Sequence, residues 1–373
     1  INALLGTDVS TEAMQDILRS LGFGVEGETI SVPSWRGDVG HYSDLAEEVA
    51  RFYGYNNIPC TLVSGQSTLG GYSEEQLLEQ RLGALCRAAG YDEIITYSFI
   101  SPTYYDKIRM PANSPERESF KILNPLGEDT SIMRTTTLPS MLEILTRNYN
   151  FRNKEVKLYE LGRTYHLGGE DGLAIEKKYL SLGTYGAKVN FFSVKGLVEA
   201  ILKDLRADSV RYEACTDNPS YHPGRCAKVY AGDECIGVFG QIHPLVAANY
   251  GVDAELYFAE LSLEKLMGAC GSDPVYKPLP KFPAVTRDIA VVCDKAITVA
   301  RLIDCIMSAG GQYLKNCELF DIYTGSHIAP GKKSVAFSLT LRADDQTLTD
   351  EHAEETMKSV IDALERELGA SMR

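Results

Sequence analysis

The chain has 373 residues, a net charge of −14 and 44% hydrophobic side chains. That length predicts two or three domains with ordinary apolar cores rather than one. The excess of acid argues against general attraction to nucleic acid, and no apolar run reaches the length that spans a bilayer. Nine scattered cysteines, an odd number with no Cys-x-x-Cys pair, exclude a disulfide framework and a zinc site and place the chain in a reducing, cytoplasmic setting.

The N-terminal segment, 1–63, reads as a small helical domain of net charge −6. Ser10 is placed to cap a helix whose Met14, Ile17, Leu18 and Leu21 recur at helical spacing, and Gly22 ends it. The letters of Gly22-Phe23-Gly24-Val25-Glu26-Gly27 match a dinucleotide loop. They follow a helix and lead into a strand, the reverse of the required order, so they carry no such function. A strand is expected over 28–32. After Pro33 and the single tryptophan, Trp35, comes a second helix with Ser43 as its expected cap, Gly54 as its stop, and Leu45, Val49 and Phe52 on its apolar side. Two helices about a short strand suggest a helix-turn-helix-like unit.

Around the start of that second helix stand Asp38, Asp44, Glu47 and Glu48. Asp44, Glu47 and Glu48 share one helix face, where like charges repel, and an all-oxygen donor set suits Mg²⁺ or Ca²⁺. The alternative is a solvated acidic face that complements the helix dipole. Spacing alone leaves both readings open.

A Gly-rich linker, 65–71, precedes a helix over about 73–89 with Leu77, Leu78, Leu82, Leu85 and Cys86 on one side. Strands are expected at 93–99, 118–123, 156–161, 179–183, 227–231, 234–239 and 257–261, with helices at 140–149 and 193–204. Gly232-Asp233 is a hairpin turn. Mostly antiparallel strands with clustered helices make this an α+β domain, 72–272. His222-Pro223 and His243-Pro244 flank the hairpin and read as turn and packing residues. The polar loop 124–129 reads as a capped turn.

Four prolines between 274 and 283 mark a linker. The remainder, 279–373, has the order β-α-β-β-α-β of the ferredoxin-like split motif.

No Walker loop, nucleophile elbow or His-Glu-x-x-His is present. The combination of Pro33-Ser34-Trp35-Arg36-x-Asp38, Asp44-Leu45-x-Glu47-Glu48-Val49-Ala50-Arg51 and Tyr53-Gly54-Tyr55-x-x-Ile58-Pro59 resembles the small helical domain of the bacterial-type phenylalanyl-tRNA synthetase beta subunit. Asn124-Pro125-Leu126, Leu138-Pro139-Ser140, Tyr159-Glu160-Leu161-Gly162, His222-Pro223-Gly224-Arg225 and Gly240-Gln241-Ile242-His243-Pro244 are similar to its catalytic-like domain. Phe282-Pro283-Ala284-Val285-x-Arg287-Asp288 is similar to the entry of its anticodon-binding domain. The resemblance covers essentially the whole chain.

It implies a class II synthetase-like domain that has lost its catalytic motifs: the Arg and Glu of the first motif fall at His166 and Gly168, and no Gly-rich motif ending in Arg follows. It implies a non-catalytic subunit, the C-terminal part of a beta chain without its N-terminal tRNA-binding and editing domains. That subunit works with a catalytic alpha subunit in an alpha-two beta-two ligase that joins phenylalanine to its tRNA with ATP. It further implies that Asp38, Asp44, Glu47 and Glu48 bind Mg²⁺ shared with the alpha subunit. In the ferredoxin-fold domain the expected tRNA contacts are Lys315, Lys332, Lys333 and Arg342 on phosphate, and Phe320 or Tyr323 as a stacking face; core packing is the other reading of Phe320. Two rival readings stay open: a self-sufficient class II-like ligase, and a ferredoxin-domain protein that binds a small regulatory molecule.

Overall fold

In the first 58 residues the hydrophobic spacing is converted into a three-helix layer with a hairpin between its second and third members. The structure is a computed structural model that describes residues 1–325 and 327–373. Helices α1 (Asn2–Leu5) and α2 (Thr11–Ser20) are followed by strands β1 (Gly24–Glu26) and β2 (Thr29–Ser31), then α3 (Tyr42–Tyr53). The Ser10 hydroxyl accepts from the Ala13 N–H, as the cap pattern predicts. The sequence reading missed β1, which pairs antiparallel with β2 through Val25 and Ile30. The hairpin separates α2 from α3, where a single strand was expected. Leu18, Phe23 and Val49 form the small core, backed by Met14, Ile17 and Leu45. Phe52, expected in that core, is 51% exposed.

After a stretch without helix or strand, Ser73 and Gln76 form a capping box at the start of α4 (Glu74–Ala88). Leu77 lies outside its apolar side, at 53% exposed. The chain continues through β3 (Asp92–Glu93), β4 (Phe99–Ile100), α5 (Thr103–Lys107), β5 (Ile132–Met133), α6 (Leu138–Asn150), β6 (Val156–His166), β7 (Ile175–Tyr185), α7 (Phe191–Asp204), β8 (Val210–Ala214), β9 (Tyr221–Ala231), β10 (Glu234–Ile242), α8 (Pro244–Asn249), β11 (Tyr257–Ser262) and α9 (Leu263–Gly268). The strand expected over 118–123 is reduced to a single bridge, Lys121 to Ile132.

Seven strands form one sheet in the order β3-β6-β7-β11-β10-β9-β8. All its pairs are antiparallel except β3 with β6. The β9–β10 hairpin turns at Gly232 and Asp233, with Gly232 at φ 56°. Alternating residues serve two cores. On β11, Tyr257, Ala259 and Leu261 join Leu82 of α4 and Val198 of α7, while Phe258 joins Leu142 of α6 and Val246 of α8 on the opposite face. At Gly183 α6 comes so close that a Cβ would lie 2.5 Å from Met141.

The C-terminal unit, Cys270–Arg373, begins with a stretch free of helix and strand through residue 280. It then runs β12 (Val285–Asp294), α10 (Val299–Ala309), β13 (Leu314–Tyr323), β14 (Lys332–Leu341), α11 (Asp350–Leu368) and β15 (Ser371–Met372). The sheet order β13-β14-β12-β15, antiparallel throughout, is that of the ferredoxin-like fold. One sheet face packs Val291, Phe337 and Leu339 against Leu302 and Leu364 of the two helices. Among the described residues no helix is long and apolar enough to cross a membrane.

Candidate functional site

The four carboxylates of the acidic cluster run from the loop before α3, which holds Asp38, into its second turn, which holds Glu47 and Glu48, and Asp38 and Glu48 share one partner. His41, not Ser43, caps the helix: its Nδ1 accepts from the Ser43 N–H at 3.3 Å. Asp44 completes the capping box, its Oδ2 accepting from the N–H groups of Gly40 and His41 at 2.8 Å each. Asp38 receives Nε and Nη2 of Arg36 at 3.0 and 2.7 Å. Glu48 is buried, takes Arg36 Nη2 at 2.8 Å on one oxygen, and pairs with Arg51 through the other. Glu47 is exposed.

The electrostatics follow from those contacts. The Arg36 guanidinium holds Asp38 and Glu48 below the usual carboxylate range, and the Gly40 and His41 amides do the same for Asp44. Two carboxylates raise the Arg36 pKa in return.

Oxygen donors of this kind suit Mg²⁺. As folded, however, the set does not fit an ion: a guanidinium lies between Asp38 and Glu48, and Asp44 is spent on backbone. Among the described residues no group of three or more His, Cys, Asp or Glu is placed to hold a metal. Large aromatics of the same small domain stay in solvent: Trp35 is 74% exposed, and Tyr42, Phe52 and Tyr55 are exposed as well.

A second polar centre lies inside the seven-stranded sheet, and the sequence reading missed it. Arg134, 1% exposed, pairs with buried Glu160 at 3.1 Å (Nη2 to Oε1). Glu160 also accepts from the Thr96 N–H and hydroxyl, and Arg134 Nε donates to the Arg163 carbonyl at 2.8 Å. Beside it, Glu260 of β11 accepts from the Thr136 hydroxyl and from the N–H and hydroxyl of Thr137, tying the start of α6 to the sheet. The one available signal was an acid, Glu160, set between Tyr159 and Leu161 in the strand pattern.

His166 ends β6, its Nε2 2.9 Å from the Thr164 hydroxyl. Burial, helped by Lys177, pushes its pKa below the ordinary imidazole value, so it is neutral at pH 7. His222 and His243 act as the turn reading expects: each Nδ1 accepts a nearby backbone N–H, from Gly224 and Leu245.

In the C-terminal unit the expected cations fall into two groups. Lys332 and Lys333 open β14, opposite Asp294 and Cys293 of β12. Lys315 and Arg342 lie at the other end, Lys315 paired with Asp344 at 2.8 Å and Arg342 with a buried Nε that has no hydrogen-bond partner. The ten residues of β14 put these groups about 30 Å apart, at roughly 3.3 Å per residue. Phe320 sits at a bulge of edge strand β13 and is 59% exposed, which sets aside its core reading. The guanidinium of Arg373 lies over the Tyr323 ring at 5.4 Å.

Three family models match the chain in order. Residues 1–55 match the tRNA synthetase B5 domain, residues 58–263 the phenylalanyl tRNA synthetase beta chain CLM domain, and residues 280–373 the ferredoxin-fold anticodon binding domain. Among curated proteins, the phenylalanine–tRNA ligase beta subunit of Clostridium tetani is 41% identical over 378 residues, covering 100% of this chain and 48% of the relative. That of Clostridium acetobutylicum is also 41% identical, with the same coverage. That of Moorella thermoacetica is 38% identical, again over 100% of this chain and 48% of the relative. The chain thus spans about half the length of the curated relatives it matches.

Proposed function

The chain belongs to the phenylalanine–tRNA ligase beta subunit family, as its C-terminal portion, and on that premise we propose that it serves as the non-catalytic partner of a catalytic alpha subunit. The complex would be an alpha-two beta-two, cytoplasmic, class II ligase that joins phenylalanine to its tRNA with ATP. The observation that carries this reading is the unbroken succession of three synthetase domain matches along one chain. The expected parts 1–63, 72–272 and 279–373 take, in that reading, the roles of assembly module, inactive catalytic-like platform and anticodon grip.

Local chemistry supports an inactive platform. Where the first class II motif carries an Arg, this chain has His166, neutral at pH 7 and bonded to Thr164. A neutral imidazole cannot offset the charge that develops on an α-phosphate. The exposed aromatics Trp35, Tyr42, Phe52 and Tyr55 support a protein-docking role for the small domain. On the ferredoxin-like unit, Phe320 and Tyr323 offer ring faces. Lys315, Lys332, Lys333 and Arg342 offer phosphate contacts at both ends of β14, so RNA would lie along the strand rather than on one basic spot.

Mg²⁺ binding by Asp38, Asp44, Glu47 and Glu48 remains a proposal for the assembled ligase only. In the isolated chain Arg36 already supplies the positive charge that Asp38 and Glu48 require.

The deciding experiment is co-expression with a catalytic alpha subunit. The expected result is co-purification, tRNA charging by the complex, and no ATP–pyrophosphate exchange by this chain alone. Exchange catalysed by the chain alone would favour the self-sufficient ligase and overturn the reading.

A further inference from the structure

A cavity of 730 Å³ opens where the C-terminal end of α6 meets the end of β7 and the segment before β11. Its size falls among ordinary small-molecule sites, about 300–1,000 Å³. Tyr149 and Tyr185 line it, with ring centroids 6.1 Å apart and planes at 75°. Asn150 and Asn153 add amide groups, and Arg152 and Lys154 add two cations.

The balance of charge inside is positive although the whole chain is strongly acidic. The one acid that lines the cavity, Glu255, is already committed. Its Oε1 takes Arg225 at 2.9 Å and its Oε2 takes the Tyr257 hydroxyl at 2.7 Å. Glu155 lies beside Gly186 but is outside the lining. Most arginines of this chain pair with a carboxylate, whereas Arg152 and Lys154 make no ion pair among the described residues. Arg152 also occupies the left-handed position that follows a helix, at φ 63°, where glycine is the favoured residue. The rigid frame is built: the Tyr185 hydroxyl donates to the Asn153 carbonyl at 2.9 Å, and the Asn153 amide donates to Asn148 at 2.7 Å.

We propose that this cavity is a binding site for a nucleoside phosphate. Arg152 and Lys154 take the phosphate, the ring of part-exposed Tyr149, backed by buried Tyr185, takes the base, and the asparagine amide groups take its polar edge. The same chemistry is offered by a free mononucleotide and by one nucleotide unit of a single-stranded RNA. The site lies outside the ferredoxin-like unit and does not depend on the ligase reading.

The test is calorimetric titration of the full 373-residue chain with AMP, UMP, inorganic phosphate and a tetranucleotide RNA. Saturable binding of nucleotide or RNA is expected, falling with salt. In the Arg152→Gly, Lys154→Ala double variant it should weaken at least about tenfold, the factor that one lost charge-assisted hydrogen bond represents. Arg152→Gly suits the left-handed backbone, so the variant keeps its fold. Tyr149→Leu should weaken nucleotide but not inorganic phosphate. Preference for RNA over mononucleotide assigns the site to RNA, and equal binding assigns it to the free nucleotide. No saturable binding by any nucleotide, binding unchanged in the double variant, or phosphate alone binding as tightly as nucleotide would each overturn the proposal.

Discussion

At the scale of single residues, the two guanidinium–carboxylate centres, one part-exposed and one buried, differ in what they hold. Arg36 joins the loop after β2 to α3 through Asp38 and Glu48. Arg36→Met leaves buried Glu48 with Arg51 alone, and a lower midpoint in a urea denaturation series is expected. Because the pKa values of Asp38, Asp44 and Glu48 are depressed in the folded chain, the unfolded chain binds more protons than the folded one in acid. Their stabilisation is therefore present above the unfolded carboxylate values, about 3.9–4.3, and is lost as pH falls through and below them. Denaturation midpoints measured from pH 6 down to pH 3 should fall in the parent chain, and less steeply in Arg36→Met. Arg134 and Glu160 form the deeper pair. Arg134→Met should cost about 3–5 kcal/mol, because buried Glu160 loses its ion-pair partner. The Arg134→Met, Glu160→Leu double variant should recover part of that loss, and a double variant no more stable than the single one would show that Thr96 and the Arg163 carbonyl matter more than the pair.

At the scale of elements, helix ends and close approaches are the sensitive points. The α3 start rests on His41 and Asp44, so Asp44→Ala should lower the urea midpoint while Glu47→Gln changes it little. If Glu47→Gln were equally destabilising, a local contact to Glu47 would be needed to explain it. At Gly183 of β7 the added methyl of Gly183→Ala would meet Met141 of α6 at 2.5 Å. Overpacking of about 1–3 kcal/mol is expected there, relieved when Met141 is also shortened.

At the scale of the whole molecule, the chain separates into Ile1–Ala269 and Cys270–Arg373. Residues 271–280, at the start of the second unit, carry neither helix nor strand, and the bond of Lys277 to Pro278 resists trypsin. Brief trypsin treatment should cut after exposed Lys281 and release a C-terminal piece that still melts cooperatively, since its core of Val291, Phe337, Leu302 and Leu364 is its own. A piece that loses its cooperative melting would show that the two units share stability.

Most elements were legible in the sequence because periodicity and caps are local. The spans of α10 and α11, the β9–β10 turn and the ferredoxin-like order all follow from neighbours along the chain. The family was legible for the same reason, since its motifs are short and ordered. What failed was non-local. The β1 strand is three residues long and exists only because β2 pairs with it. The helix wheel set Glu48 beside Asp44 and Glu47, but packing turned it inward to Arg36 and Arg51. The four expected phosphate contacts of the last unit look like one group in sequence, and strand extension separates them into two groups about 30 Å apart. Composition and pattern by themselves determined the domain order, the element types and the kinship. Only the tertiary structure decided which charges meet, because an ion pair depends on chain segments brought together by burial, not on their spacing along it.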